Sequence, residues 1–216
     1  MPSLKQLLIP PVPSFSSATE QYSSETQNQN LNVLRLFFTK LTNGLSTLMG
    51  RNGGSYINTP YGAFQDSTDQ VAANTTTAYA ITFNTTDYSN AVTLSNSSRL
   101  NVANSGLYNI QFSIQLKNTT NDGQDVDIWF RKNGTNIANS NSRFHLVARK
   151  GTGDPSHIIA SLNFFVDMAA NDYIEIMWRT ENTGVNIEHF GTSTSPTRPA
   201  VPSVIATMTF VSSIAT

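Results

Sequence analysis

The hydrophobic period of this chain changes once, and the two halves admit different structures. Leu31, Leu34, Phe38, Leu41, Leu45 and Leu48 are spaced alternately three and four residues apart. That a/d rhythm draws one apolar seam along a helix. From Tyr61 onward the rhythm is gone. β-branched and aromatic residues alternate with polar ones, and Asn, Gly, Ser and Asp break the runs, the pattern of half-buried strands joined by tight turns. The chain therefore divides into a helical piece and a β piece.

Four segments follow. Residues 1–24 read as an extended arm, because Pro2, Pro10, Pro11 and Pro13 interrupt any regular element. Within it Leu4, Leu7, Leu8, Ile9 and Pro10 form a small apolar cluster. The cluster is too short for a core; it is either a tail or a docking peptide for another subunit. Residues 25–49 are predicted to be helical. Ser24 is placed at the N-cap with Gln27 three residues on, and Gly50 with Gly53 and Gly54 marks the stop. Val33, Leu36 and Phe37 lie off the seam, so the helix either packs on its own domain or zips with copies of itself. Residues 50–60 are a linker, and 61–216 are the β body.

In the body, strands are expected near residues 62–70, 79–83, 92–94, 99–102, 106–117, 125–132, 135–139, 158–166, 172–180, 185–189 and 203–214. Tyr108, Ile110, Phe112, Ile114 and Leu116 alternate with polar residues and share one face, the expected core. Asn133-Gly134 between two strands predicts a type I′ hairpin, whose two central residues need positive φ. Short strands at this spacing indicate an all-β sandwich or barrel.

Composition narrows the function. The 216 residues include 13 Lys and Arg, 14 Asp and Glu, and no Cys. Disulfides, thiolate metal sites and cysteine nucleophiles are thereby excluded. Balanced charge without a basic run speaks against nucleic acid and polybasic membrane contacts, and no apolar run approaches a membrane span. Charged residues make up 12% of the chain, against about 25% in an average domain. Low charge weakens the repulsion that keeps monomers apart, which favours an assembly subunit.

No catalytic constellation emerges. His145, His157 and His189 have no metal-ligand spacing, and the Gly151–Pro155 turn lacks the features of a phosphate loop. Asp122, Asp125 and Asp127 gather near one turn; they suit either a Ca²⁺ ion or a solvated loop end. Glu175, Glu181 and Glu188 read as outward strand positions. Phe190, Tyr61, Tyr88 and Trp129 could stack on sugar rings if exposed, but Trp129 and Trp178 are assigned to packing amid apolar neighbours. No enzyme activity, cofactor or metal is expected.

The body also resembles a known family. The stretch 98–112 (SRLNVANSGLYNIQF) looks like the C1q/TNF signature, in which a short strand leads into a G-x-Y-x-[FI]-x-[FL] strand. Residues 126–134 (VDIWFRKNG) resemble the next strand and its hairpin. Residues 169–176 (AANDYIEI) are similar to the later L-x-x-G-D turn, with Asn171 where Gly is usual, and 203–210 (SVIATMTF) stand in the place of the closing strand. The resemblance implies a mainly β fold, a C1q/TNF-like jelly-roll sandwich that closes as a homotrimer. The extended arm and a short coiled-coil-type helix would precede it.

Arm, stem and Asn/Thr-rich body together look like virion proteins of tailed bacteriophages, marine cyanophages especially, on 32–38 (NVLRLFF) and 199–210 (PAVPSVIATMTF). This likeness implies a surface-exposed virion fibre, knob or decoration protein. Leu31, Leu34, Phe38, Leu41, Leu45 and Leu48 would zip the trimer, and the arm would dock on capsid, neck or tail. The head would project to meet a host-surface glycan or protein, or to brace the particle. A secreted C1q/TNF-like ligand and a carbohydrate-binding tailspike head are the alternatives.

Overall fold

The computed structural model describes residues 9–17, 21–50 and 58–213. They fall into two compact units, Met1–Asn58 and Thr59–Thr216. Leu4, Leu7 and Leu8 of the arm, most of the linker and Ile214 lie outside the described residues.

In the first unit a single helix, α1, runs over Ser24–Met49, about 39 Å at 1.5 Å per residue. Its N-cap is Ser23, not Ser24: the Ser23 hydroxyl accepts from the Thr26 amide at 3.3 Å and from the Thr26 hydroxyl at 3.2 Å. The cap thus falls one residue earlier than its sequence neighbour suggested, because Thr26, three residues on, gives both its amide and its hydroxyl hydrogen to Ser23. Gly50 follows the helix in an extended conformation, φ −76° and ψ 174°, so it is not the left-handed glycine that closes many helices. What excludes a larger residue there is space, since an added Cβ would lie 2.9 Å from the Ser46 carbonyl oxygen.

No residue of α1 is fully buried. The described arm lies antiparallel to the helix. Ile9, Pro10 and Pro11 border Lys40–Thr47, Val12–Ser14 border Val33, Leu36 and Phe37, and the Ser16 amide donates to Asn30 Oδ1 at 3.1 Å. The apolar residues off the seam therefore have a partner within the chain. Among the described residues the seam is partly open: Leu31 and Leu34 border Gln21, Tyr22 and Ser23, yet Leu31 is 54% exposed, Phe38 57% and Leu45 49%.

The second unit is mainly β. Its strands are β1 Tyr61–Asp66, β2 Gln70–Val71, β3 Tyr79–Ala80, β4 Thr85–Asn90, β5 Val92–Ser95, β6 Arg99–Val102, β7 Gly106–Asn118 and β8 Gln124–Lys132. They continue as β9 Thr135–Asn136, β10 Ser142–Leu146, β11 Ser156–Met168, β12 Tyr173–Thr180, β13 Val185–Ile187, β14 Ser193–Thr194, β15 Thr197–Arg198 and β16 Val204–Ser212. Four of these fall where no strand was expected: β4 and β10 lie at sheet edges, and β14 and β15 form a two-stranded sheet of their own. The expected strand at 62–70 breaks after Asp66, whose carboxylate accepts from the Thr68 amide at 2.8 Å in a tight turn.

Four antiparallel pairs nest inside one another: β8 with β10, β7 with β11, β6 with β12, and β1 with β16. Partners such as Ile128 and Ser142, Asn118 and Ser156, Asn101 and Tyr173, and Asp66 and Val204 have midpoints at residues 135, 137, 137 and 135. The body is thus one long hairpin with its tip near Asn133-Gly134, rolled so that successive pairs alternate between two sheets. The first sheet holds β11, β7, β16, β1 and β4, with β13 and β2 at one end. The second holds β10, β8, β12, β6 and β5, with β3 and β9 attached.

At the tip Asn133 and Gly134 have φ of 48° and 82°, the type I′ geometry. Asn133 also braces the second sheet, accepting from the Tyr173 amide at 2.9 Å and donating to Asp172 at 2.7 Å. Asn171 has φ 70°, a left-handed position that asparagine tolerates.

Between the sheets lies a continuous core. Tyr108, Ile110, Phe112, Ile114 and Leu116 of β7 are buried in it beside Val126, Ile128 and Phe130 of β8 and Ile174, Ile176 and Trp178 of β12. Phe130 stacks on Phe164 with centroids 4.8 Å apart, and Phe112 meets Phe130 at 5.9 Å across the sheets. Burying a side chain of this size contributes roughly 1.5–3 kcal/mol, so a disulfide-free body of this length has what it needs.

Candidate functional site

The outward faces of the two sheets differ in chemistry. On the first sheet the outward residues of β7, β11 and β16 are largely uncharged. Ile159, Phe165 and Ile205 are 63%, 54% and 43% exposed there, among Asn109, Gln111, Ser113, Gln115, Ser161, Asn163 and Thr207. The second sheet carries ordered charge. Arg131 donates to Glu175 at 2.9 Å, Arg99 lies 3.7 Å from the same carboxylate, and Ser98 donates to it at 2.9 Å. Glu175 is 4% exposed: an outward position, as read from sequence, but closed over by its arginines.

Four residues back along β8 from Arg131 a second array forms around Asp127. Arg143 Nε and Nη2 donate to it at 3.0 and 3.1 Å, Arg179 Nε at 3.0 Å and Asn141 at 3.3 Å. These donors, Arg143 foremost, outweigh burial and hold the Asp127 carboxyl below the usual carboxylate range. Asp125 binds His145 at 2.7 Å and lies 3.7 Å from Arg143. Asp125 and Asp127 of the acidic cluster are therefore answered by arginine and histidine. Among the described residues no three His, Asp or Glu side chains converge as a metal ion requires.

Between these arrays sits Trp129. Strand alternation decides its direction: Val126, Ile128 and Phe130 point into the core, so Asp127, Trp129 and Arg131 point out. Trp178 is core, 1% exposed, whereas Trp129 is half-buried on the surface. The assignment of both to packing holds only for Trp178. Apolar neighbours in sequence misled; the period-two register, which places Trp129 with Asp127 and Arg131, carried the correct signal.

Trp129 lies opposite Met177 of β12, and its indole N–H donates to Asn136 Oδ1 at 2.9 Å. It forms one wall of a cleft of about 320 Å³. The other wall is the turn from Asn136 to Asn141. That turn is fastened from below: Ser140, 3% exposed, donates to the Ile137 carbonyl at 2.8 Å and accepts from the Phe130 amide at 3.1 Å. Asn139 holds φ 60° at the rim.

The other candidates are scattered. Tyr61 and Tyr88 are 43% and 69% exposed near the edge of the first sheet, and the Phe190 ring lies 5.6 Å from His157. His157 pairs with Glu188 at 2.8 Å, the His189 amide donates to Asp69 at 2.7 Å, and the three histidines do not meet. No described helix is long and apolar enough to cross a membrane. No protein-family profile matches the chain, and no curated protein matches it.

Proposed function

We propose that this chain is a non-enzymatic structural protein of a phage virion, assembled as a homotrimer. Its helix holds the copies together, its arm meets capsid, neck or tail, and its body serves host-surface attachment or particle stabilisation. The observation that carries the reading is the seam of α1. The arm borders Val33, Leu36 and Phe37, and along the seam Leu31, Phe38 and Leu45 stay about half-exposed in the single chain. An apolar row left over on a helix that already has one partner asks for another, and an a/d row is shaped to receive its own copies.

The body supports the same reading. Nested pairs alternating between two antiparallel sheets support the jelly-roll reading that the C1q/TNF resemblance implies. Ile159, Phe165 and Ile205 on the uncharged first sheet give further surface for self-association. Light scattering on the purified chain tests the assembly: a mass three times that of one chain is expected, and a monomer would exclude the trimer. Gold-labelled antibody on intact particles tests the setting, with label on the particle surface expected and unlabelled particles overturning it.

A further inference from the structure

We infer that the Trp129 cleft binds one pyranose ring of a neutral saccharide. This goes beyond the assembly role, and the cleft's chemistry holds wherever the protein sits.

The cleft offers an aromatic wall, and an aromatic wall selects a flat apolar partner. A pyranose presents such a surface in its axial C–H groups, while its hydroxyls point outward around the ring. The rim of the cleft is suited to hydroxyls, because each amide there carries both a donor and an acceptor. The Asn136 oxygen is taken by the indole of Trp129, which leaves its NH₂ group for a ligand. Asn141 gives its NH₂ to Asp127 and keeps its oxygen. Asn139 engages no other described side chain, so both of its polar atoms are open.

Charge narrows the choice to a neutral sugar. Arg143 and Arg179 both converge on Asp127, and each has a second carboxylate 3.7 Å away, Asp125 and Glu181 respectively. The two cations nearest the cleft are thus engaged and locally neutralised. Three carboxylates, Asp125, Asp127 and Glu181, surround these two guanidiniums, so an acidic sugar or a phosphate would meet surplus negative charge, and a neutral ring would not.

The site is also held in shape before any ligand arrives. Ser140 pins the turn, Asn136 fixes the indole, and the Asp127 array locks the Arg179 stem, so little ordering cost falls on binding. A cleft of this size takes one ring rather than a chain, which makes it a subsite.

Fluorotryptophan labelling of the full-length protein tests this directly, because the chain has two tryptophans and only one lines the cleft. Trp129→Phe assigns the resonances. Neutral methyl pyranosides (glucose, galactose, mannose and N-acetylglucosamine) and their disaccharides are titrated to millimolar concentrations. The Trp129 signal is expected to shift saturably with at least one of them while the core Trp178 signal stays put. Asn139→Gly, which keeps the backbone free at positive φ, is expected to weaken that binding about tenfold, the loss of one well-made hydrogen-bonding group. No shift with any neutral sugar overturns the inference. So does a shift that Asn139→Gly leaves unchanged, a shift shared by Trp178, or tighter binding of a uronic acid than of its neutral counterpart. The oligomeric mass of the same sample is read independently, so a failure here is distinct from a failure of the trimer.

Discussion

Arg143 grips Asp127 with two parallel donors, Nε to Oδ1 at 3.0 Å and Nη2 to Oδ2 at 3.1 Å, while Arg179 donates from the neighbouring strand at 3.0 Å. Three strands are tied through one carboxylate, β10 through Arg143, β8 through Asp127 and β12 through Arg179. Asp127→Asn keeps the shape but removes the charge that both guanidiniums answer. We expect it to destabilise the body by about 1–2 kcal/mol at neutral pH, charge-assisted bonds being reduced by the partial exposure of both arginines.

The pH dependence of that loss has a definite sign. The donors hold the folded Asp127 carboxyl below its ordinary range. Its stabilisation is therefore complete above the unfolded carboxylate's pKa of about 3.9 and is lost as pH falls through the folded value. Urea midpoints of wild type and Asp127→Asn should differ at pH 7 and converge in strong acid. A difference that stays constant across that window would show that the carboxylate charge is not what Asn fails to replace.

Gly106 opens the central strand because its neighbours leave no room for a side chain. A Cβ there would lie 2.3 Å from the Phe210 ring and 2.8 Å from the Ser212 carbonyl oxygen. Phe210 in turn meets Tyr108 edge-on at 5.5 Å. Gly106→Ala must push Phe210 off Tyr108 or open the β7–β16 pairing. A loss of about 1–3 kcal/mol is expected, the range of overpacked cores, measured as a lower urea midpoint with the slope unchanged. A neutral substitution would mean that the end of β16 moves aside freely.

The glycine of the G-x-Y run was visible as a motif, and its reason became visible only with Phe210, some hundred residues away. The same division holds elsewhere. The core row Tyr108–Leu116, the Asn133-Gly134 turn and the helix are local patterns, so period and turn chemistry reveal them. The strands at Thr85–Asn90 and Ser142–Leu146 lie at sheet edges and owe their form to pairing with β1 and β8. The cleft was least legible, because it joins Trp129 to a turn and to Arg179 on another strand. Only the alternation Val126-Asp127-Ile128-Trp129 hinted that the indole faces out.

The helix cap separates two adjacent serines. Ser23 receives the Thr26 amide and hydroxyl, whereas Ser24 is already the first helical residue. Ser23→Ala should cost ~1 kcal/mol of local stability and speed exchange of the Thr26 amide about fivefold, since that amide loses its acceptor. Ser24→Ala should leave the rate nearly unchanged. Hydrogen exchange on the full chain reads both, and equal effects would place the cap elsewhere.

Phe38 and Leu36 supply the contrast that tests the stem. Both are more than half exposed in the single chain, at 57% and 56%, so neither variant should disturb the monomer's own packing by much. They differ in direction: Phe38 lies in the seam, while Leu36 lies on the face bordered by the arm. An aspartate at a seam position buries an unpaired charge between helices, and three copies would bring three such charges together. Phe38→Asp is therefore expected to lower the mass seen by light scattering roughly threefold, the proposed trimer returning to single chains. Thermal unfolding of the body should remain intact. Leu36→Asp should keep the wild-type mass, because its face is not the one that meets another copy. If both variants stay assembled, the leucine seam is not the interface. If both dissociate, the arm-lined face takes part as well.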